Sequence, residues 1–207
     1  MKTLVTFIIS AGFLLAGTAC SKETKQNDNP ATVELSAGQK AHLIQLYEEE
    51  KLASDIYTEF YAEHNYKPFS HHSEAEAKHM GFVADILIKY ELIVPDNVAG
   101  VFNNAEYQKA YNEWLPKGLA DGKDALYIAA YIEEMDILDL VNAIENIAEA
   151  DDIKAMYEEL LRGSENHLRA YYKFIGMELG ITYQPQIMDQ ATFDAIIAGG
   201  SGHGGGN

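Results

Sequence analysis

Cysteine is almost absent from this 207-residue chain, which contains only one. A single cysteine excludes an intrachain disulfide framework and a cysteine-rich zinc site. Basic residues are also scarce, because 15 Lys and Arg stand against 32 Asp and Glu and give a formal net charge of −17. Such a chain is a poor candidate for nucleic-acid binding, since phosphate contacts need clustered Lys and Arg. The length and the 47% hydrophobic content suit one globular domain with appendages.

Long hydrophobic runs are missing as well. The apolar stretch at 4–15 is shorter than the roughly 20 residues that a transmembrane helix needs. It follows Lys2 and precedes the small residues 16–19, which is typical of a signal peptide over residues 1–19. Cys20 comes next, and this arrangement resembles the lipobox of bacterial lipoproteins, which implies that Cys20 is lipidated. A plain secretory signal with a coincidental cysteine is the alternative.

Composition divides the rest of the chain into four parts. Residues 20–34 are predicted to be the lipidated cysteine and a flexible polar tether. A helical domain is predicted at 35–180, followed by a C-terminal extension at 181–198 and a disordered Gly-rich tail at 199–207. The expected location is extracytoplasmic, with the protein anchored to a membrane in the periplasm or at the cell surface.

Between tether and tail, the apolar residues recur with a helical period and no segment shows convincing strand alternation. The spacing predicts four long helices, with a shorter helix between the second and the third. Their approximate ranges are 36–64, 70–91, 105–115, 122–148 and 151–179. Four helices of this length with narrow apolar stripes are typical of an all-α four-helix bundle.

Each long helix carries an ionisable residue on its apolar stripe. At about 100° per residue, the inward positions are Glu50 on the first helix, Glu76 and His79 on the second, Glu133 on the third, and His167 with Ser164 on the fourth. Several neighbouring groups are expected at the stripe margin or on the surface: Glu48, Glu49, Glu134, Glu165, His42, His64 and His71. His72 lies at the edge of the second stripe. We therefore expect it to contact the ligands at most, and not to be one of them.

Convergence of these groups favours a metal site. A buried, unpaired carboxylate is too costly to retain, so it must be neutralised, paired or bound to a cation. Glu76-x-x-His79 has the spacing that lets a carboxylate and an imidazole on one helix reach one ion. The alternative is a buried hydrogen-bonded network without metal, as expected of a protein that descends from a metal-binding ancestor and has lost the metal. Tyr47, Tyr57 and Tyr171 share the inward faces, either as packing or as partners of the ligands.

The same motifs resemble those of the ferritin-like superfamily of di-iron carboxylate proteins, particularly rubrerythrin-type bundles. Residues 50–57 are similar to the Glu-x-x-Ala-x-x-x-Tyr pattern of the first helix of that family, and residues 73–80 to the Glu-x-x-His pattern of its second helix. Residues 132–137 and 164–168 stand where the third-helix carboxylate and the second Glu-x-x-His belong. The stretch 35–180 is similar to a bacterial and archaeal branch known as a domain of unknown function.

The resemblance implies two bound metal ions, with iron expected and manganese or zinc as alternatives. The implied ligands are Glu50, Glu76, His79, Glu133 and His167. Ser164 departs from the pattern, because a carboxylate is expected there, and Asp136 is a candidate for an additional ligand.

The implied activity is oxidation of Fe(II) or reduction of peroxide or dioxygen. It would need a small-molecule oxidant and an external electron donor, because the chain lacks a cysteine-rich electron-transfer domain. We expect the protein to contact the membrane only through its lipid anchor and not to bind nucleic acid. The sequence is compatible with a homodimer. The alternative is that the chain is a non-enzymatic helical surface lipoprotein with a degenerate metal site. It would then act as a partner-binding or structural module.

Overall fold

The computed structural model describes residues 34–148 and 150–199, and this part of the chain contains six helices and no strand. In chain order the helices are α1 (Ala37–His64), α2 (Lys67–Lys89), α3 (Ala105–Ala120), α4 (Gly122–Asn146), α5 (Asp151–Leu179) and α6 (Gln190–Ile197). The predicted all-α class is therefore confirmed. The predicted signal peptide, Cys20, nearly all of the tether and the tail after residue 199 lie outside the described residues.

The first two helices begin with recognisable signals. Ser36 accepts the Gln39 N–H and the Gln39 side chain accepts the Ser36 N–H, which forms a capping box at the start of α1. α2 begins at Lys67, earlier than the predicted Ser70. Pro68 falls within its first turn, where a residue without an N–H costs no helical hydrogen bond.

The short third helix is longer than predicted. It was expected to stop at Leu115, but it continues through Pro116 to Ala120. A proline inside a helix removes one backbone hydrogen bond, and contact with α1 favours the helical path here. A Cβ built on Gly118 would lie 2.1 Å from Phe60 Cζ, so the backbone of α3 lies directly against this ring.

The long helices contact one another in two pairs. α1 packs along α2 and α4 packs along α5, while contacts between α2 and α5 and between α1 and α4 connect the pairs. The core between them includes the fully buried side chains of Leu43, Leu46, Leu87, Leu140 and Leu160. Within the described part, no helix is both long enough and apolar enough to cross a membrane.

The chain that leads into α3 covers a side of α1 that was expected to face away from the core. Glu48 is buried, and its two carboxylate oxygens accept the N–H groups of Asn103 and Asn104 at 2.6 and 2.8 Å. Lys51 is also buried and forms an ion pair with Asp55. The expectation for Glu48 was wrong because the loop before α3 supplies it with donors.

Glu134 anchors the segment that precedes α6. Its buried carboxylate accepts the Tyr183 hydroxyl at 2.6 Å and the backbone N–H groups of Gln186, Ile187 and Met188 at 2.8–3.0 Å. The prediction that Glu134 points to the stripe margin was therefore wrong. The C-terminal extension passes over this face of α4 and provides one side-chain and three backbone donors.

Replacement of Glu134 by alanine should destabilise the protein. Because it leaves the buried donors of Tyr183 and Met188 without an acceptor, we expect the free energy of unfolding to fall by about 3 kcal/mol, since each unpaired buried group costs about 1–3 kcal/mol. Urea denaturation measures the change. Glu158→Ala, on an exposed position of α5, is the control and should leave stability nearly unchanged. Equal stability of the two variants would contradict an anchoring role for Glu134.

Candidate metal centre

Six buried side chains form two groups, and within each group the candidate ligand atoms lie within 4.8 Å of one another. The first group is Glu50, Glu76 and His79, and the second is His72, Glu133 and His167. Helices α1, α2, α4 and α5 all contribute. The structure therefore brings together the five residues that the sequence singled out and adds His72.

The sequence of α2 explains why this helix supplies three of the six side chains. His72, Glu76 and His79 have the spacing i, i+4 and i+7, which places them on one face of a helix. Glu50 reaches this face from α1, and the His79 ring lies within 3.3 Å of its Oε2 atom. α2 is thus the helix on which the site is assembled.

Glu76 lies between two imidazoles. Its Oε2 atom is 2.7 Å from His79 Nδ1, and its Oε1 atom is 2.7 Å from His167 Nδ1. His167 Nδ1 also lies 3.5 Å from Glu133 Oε2. One carboxylate therefore links the two groups, with one oxygen facing each side, which is the arrangement expected of a carboxylate shared by two cations.

The charges of these groups depend strongly on one another. Burial would lower the pKa of His79, but Glu50 and Glu76 outweigh it and raise this pKa to about 11. His167 is likewise desolvated, yet Glu76 and Glu133 raise its pKa to about 10. Burial would raise the pKa of Glu76, but His167 and His79 lower it well below its usual range. Burial dominates at Glu50 and raises its pKa to about 8, although His79 acts in the opposite direction.

Several polar atoms of the site have no hydrogen-bond partner. Buried side-chain atoms of this kind in the described residues, apart from those in the ion pairs of Glu76, are Glu50 Oε1, Asp136 Oδ1, His72 Nδ1 and Tyr171 Oη. Buried polar groups are nearly always satisfied, and each exception needs an explanation. These atoms belong to the two groups or to residues that contact them, and carboxylate oxygens and imidazole nitrogens are ligands of iron, manganese and zinc. The donor set therefore fits metal ions.

Asp136, the predicted additional ligand, lies beside this cluster. Burial and the nearby Glu50 raise its pKa well above the usual value. Ser164, the residue that departs from the expected carboxylate, shares its single hydroxyl hydrogen between Asp136 Oδ2 and the Leu160 carbonyl, which lies 3.0 Å away. Ser164 thus orients the Asp136 carboxylate and places no charge of its own in the site.

Tyr57 is the inward tyrosine that directly contacts a predicted ligand. Its hydroxyl donates to Glu133 Oε1 at 2.7 Å, and its ring meets the Tyr171 ring edge-on at a centroid distance of 5.6 Å. The third inward tyrosine, Tyr47, is buried and borders a cavity of about 270 Å³ between α1 and α2. Tyr57 therefore fixes the orientation of the Glu133 carboxylate.

Three groups expected outside the core are buried. His42 bonds to Tyr157 Oη at 2.7 Å and to Asp139 Oδ2 at 2.8 Å, so it is a satisfied core histidine. Glu49 accepts the hydroxyl of Tyr107 on α3 at 2.9 Å, and Glu165 is buried on α5, where its Oε2 atom lies 3.9 Å from Arg169. A helical wheel with one inward face does not find these residues, because it does not show which polar partners neighbouring helices supply to the other faces.

Gly163 makes room for a predicted ligand. A Cβ built at this position would lie 2.6 Å from Cε1 and 2.7 Å from Nε2 of His79. Gly163 is half-buried on α5, whereas His79 belongs to α2. The imidazole can approach Glu50 and Glu76 because the residue that faces it on α5 has no side chain.

Fold and site together define an all-helical protein with a buried glutamate and histidine cluster supplied by four helices. The chain belongs to the family described as "Uncharacterized protein domain (DUF2202)", whose model matches residues 39–200. A curated relative is the uncharacterized protein MJ0754 of Methanocaldococcus jannaschii. It is 36% identical over 174 residues, which are 82% of this chain and 92% of the relative.

A solved structure shows that the fold is shared. The crystal structure of hypothetical protein MJ0754 from Methanococcus jannaschii matches this chain with a TM-score of 0.76 and 36% sequence identity. The match covers 79% of this chain and 94% of the archaeal one. The family relationship therefore extends over most of the described residues.

The contact at Gly163 predicts a specific effect of adding one methyl group. We expect Gly163→Ala to displace the His79 ring and to lower the free energy of unfolding by about 1–3 kcal/mol, the usual cost of overpacking. Gly81→Ala is the matched control, because a Cβ at that helical position would meet nothing within 4 Å. It should stabilise the protein by about 0.5–1 kcal/mol. Denaturation curves and the NMR signals of the His79 ring measure both effects, and an unmoved ring in Gly163→Ala would contradict the assignment.

The histidine pKa values predict how stability depends on pH. In the folded protein both pKa values lie above the ordinary histidine value of about 6.5, at about 11 for His79 and about 10 for His167. The stabilisation from these protons is complete below about pH 6.5 and is lost as pH rises through the folded-state values. We expect chelator-treated protein to lose stability from neutral pH to about pH 11.

Glu76→Gln provides the comparison, because other groups also titrate in that range. It removes the carboxylate that faces both imidazoles, so stability should fall less steeply with rising pH than in the unsubstituted chain. Urea denaturation at several pH values measures the two slopes. Identical slopes would show that Glu76 does not raise the pKa values of His79 and His167.

Proposed function

We propose that the chain is a ferritin-like four-helix bundle that binds two metal ions, most simply iron, in its core. The proposed ligands are Glu50, Glu76, His79, Glu133 and His167. The observation that carries the proposal is the position of Glu76, whose two carboxylate oxygens each lie 2.7 Å from a different imidazole nitrogen. The alternatives in metal identity are manganese and zinc, which accept the same ligand types.

The order and length of the connections support the ferritin-like topology. α1 and α2 are joined by two residues, and α4 and α5 by a short segment. The chain between α2 and α4 is long and contains α3. Ferritin-like bundles have one long crossover connection, and their metal sites are built from carboxylates and Glu-x-x-His motifs that project inward from four helices.

When bound, a pair of iron ions would supply the redox chemistry for oxidising Fe(II) or reducing peroxide or dioxygen. Other residues of the chain hold the proposed ligands in position. Tyr57 fixes Glu133 by donating a hydrogen bond, and Ser164 does the same for Asp136. An enzyme of this kind would act on a small-molecule oxidant and take electrons from an external donor.

The proposed location is outside the cytoplasm, with the protein attached to a membrane through lipid on Cys20. This part of the proposal rests on the sequence at 1–20, where a signal-like segment ends at the single cysteine.

The second candidate is a non-enzymatic surface module that binds a partner. One feature favours it: a groove of about 400 Å³ between α2 and α5 is lined largely by apolar side chains, including Phe82, Ile86 and Met156. Phe82 is 45% exposed. Metal content separates the two candidates, because a partner-binding module has no need for stoichiometric iron.

We expect the chain, purified under reducing and iron-replete conditions, to contain two metal equivalents by elemental analysis of Fe, Mn and Zn. Glu76→Ala should lose most of both equivalents, because one carboxylate serves both ions, and His167→Ala should lose at least one. Glu74→Ala removes an exposed carboxylate from the same helix and should retain two.

Absence of stoichiometric metal from the unsubstituted chain would refute the proposal. Retention of both equivalents in Glu76→Ala would show that metal binds elsewhere. If metal is bound, oxygen uptake with Fe(II) and peroxide consumption should be measured in the same variants. Activity that is lost in Glu76→Ala but retained in Glu74→Ala is expected for a redox enzyme.

A further inference from the structure

The two groups of candidate ligands are chemically unequal. Glu50, Glu76 and His79 offer two carboxylates and one imidazole, whereas His72, Glu133 and His167 offer one carboxylate and two imidazoles. We call them the carboxylate-rich subsite and the histidine-rich subsite. Asp136 adds to the difference, because among the carboxylates that raise its pKa the effect of Glu50 is the largest.

His72 differs from an ordinary core histidine in this same protein. His42 is buried to the same extent, with 7% of each residue exposed, and both of its ring nitrogens have hydrogen-bond partners. Within the described part of the chain, the Nδ1 atom of His72 is buried without a hydrogen-bond partner. A packing role leaves this unsatisfied nitrogen unexplained, whereas a ligand role accounts for it.

The position of His72 suits an ion shared with His167. Their rings lie 4.2 Å apart between centroids, with an angle of 24° between the planes. Two imidazoles bound at neighbouring positions of one ion lie close together, because metal–nitrogen bonds are only about 2.0–2.1 Å long. Glu133 completes the group from α4.

α5 does not supply the carboxylate expected at Ser164, because the Ser164 hydroxyl is in contact with Asp136 and the Leu160 carbonyl. His72 provides a further candidate ligand from α2.

We propose that His72 is a metal ligand, and that it gives the histidine-rich subsite two imidazoles beside Glu133 and the shared Glu76, with a metal preference different from that of the carboxylate-rich subsite. This inference rests on the proposed di-metal function. Imidazole ligands suit Fe(II), whereas carboxylate-rich sites suit Mn(II). The centre therefore prefers one ion of each kind over two identical ions.

The test equilibrates the chelator-treated full chain, without oxygen, with equal amounts of Co(II) and Mn(II), each in excess of the two sites. Co(II) stands in for Fe(II), because it reports its ligands through visible absorption and binds nitrogen ligands more tightly than Mn(II) does. We expect one equivalent of each metal per chain. His72→Ala should weaken Co(II) binding by roughly 100-fold or more, since losing even a group that orients a ligand costs about 10–100-fold.

His71→Ala is the matched control, because it removes the exposed neighbouring imidazole. It should keep one Co(II), one Mn(II) and the unsubstituted absorption spectrum. His72→Ala should keep its Mn(II), which would also show that the variant folds. Two identical metals in the unsubstituted chain, or unchanged Co(II) binding in His72→Ala, would overturn the inference while leaving the di-metal proposal intact. Absence of both metals from the unsubstituted chain would overturn both.

A second measurement needs no substitution. In a chain labelled with ¹⁵N-histidine, addition of Zn(II) should shift the ring nitrogen signals of His72 together with those of His167, while His71 stays unchanged. Unshifted His72 nitrogens in a chain whose His167 signals do shift would show that His72 only packs against the site.

Discussion

The structure depends on the cost of burying charge. Three carboxylates and three imidazoles lie in the core, where an uncompensated ion would cost far more than a domain can tolerate. Their pKa shifts show how they compensate one another: Glu76 stays ionised because His79 and His167 hold protons beside it. Cations bound between the same atoms would replace those protons, which couples metal binding to proton release.

Much of the surrounding structure serves to hold this cluster in place. Gly163 leaves space for His79, Tyr57 donates to Glu133, and Ser164 donates to Asp136. These contacts come from helices other than that of the group they orient. The geometry of the site therefore depends on how the helices pack, and a substitution on one helix should displace ligands on another.

The sequence predicts the all-α class and the inward glutamates and histidines, because the helical period is strong and each long helix has a polar residue on its apolar stripe. It does not reveal Glu48 or Glu134, whose burial depends on backbone donors from distant loops. His42 is missed for a similar reason, since its partners Asp139 and Tyr157 come from α4 and α5. One signal was available for His72: it stands four residues before Glu76, on the same face of α2.

The central claim is that Glu76 is shared by two metal ions. Anomalous X-ray diffraction above and below the iron absorption edge, on crystals grown with Fe(II) without oxygen, tests it most directly. We expect two anomalous peaks, one on each side of the Glu76 carboxylate and each about 2.0–2.2 Å from its ligand atoms. No peak at Glu76, with its oxygens still in direct contact with His79 and His167, would contradict a shared role for this carboxylate.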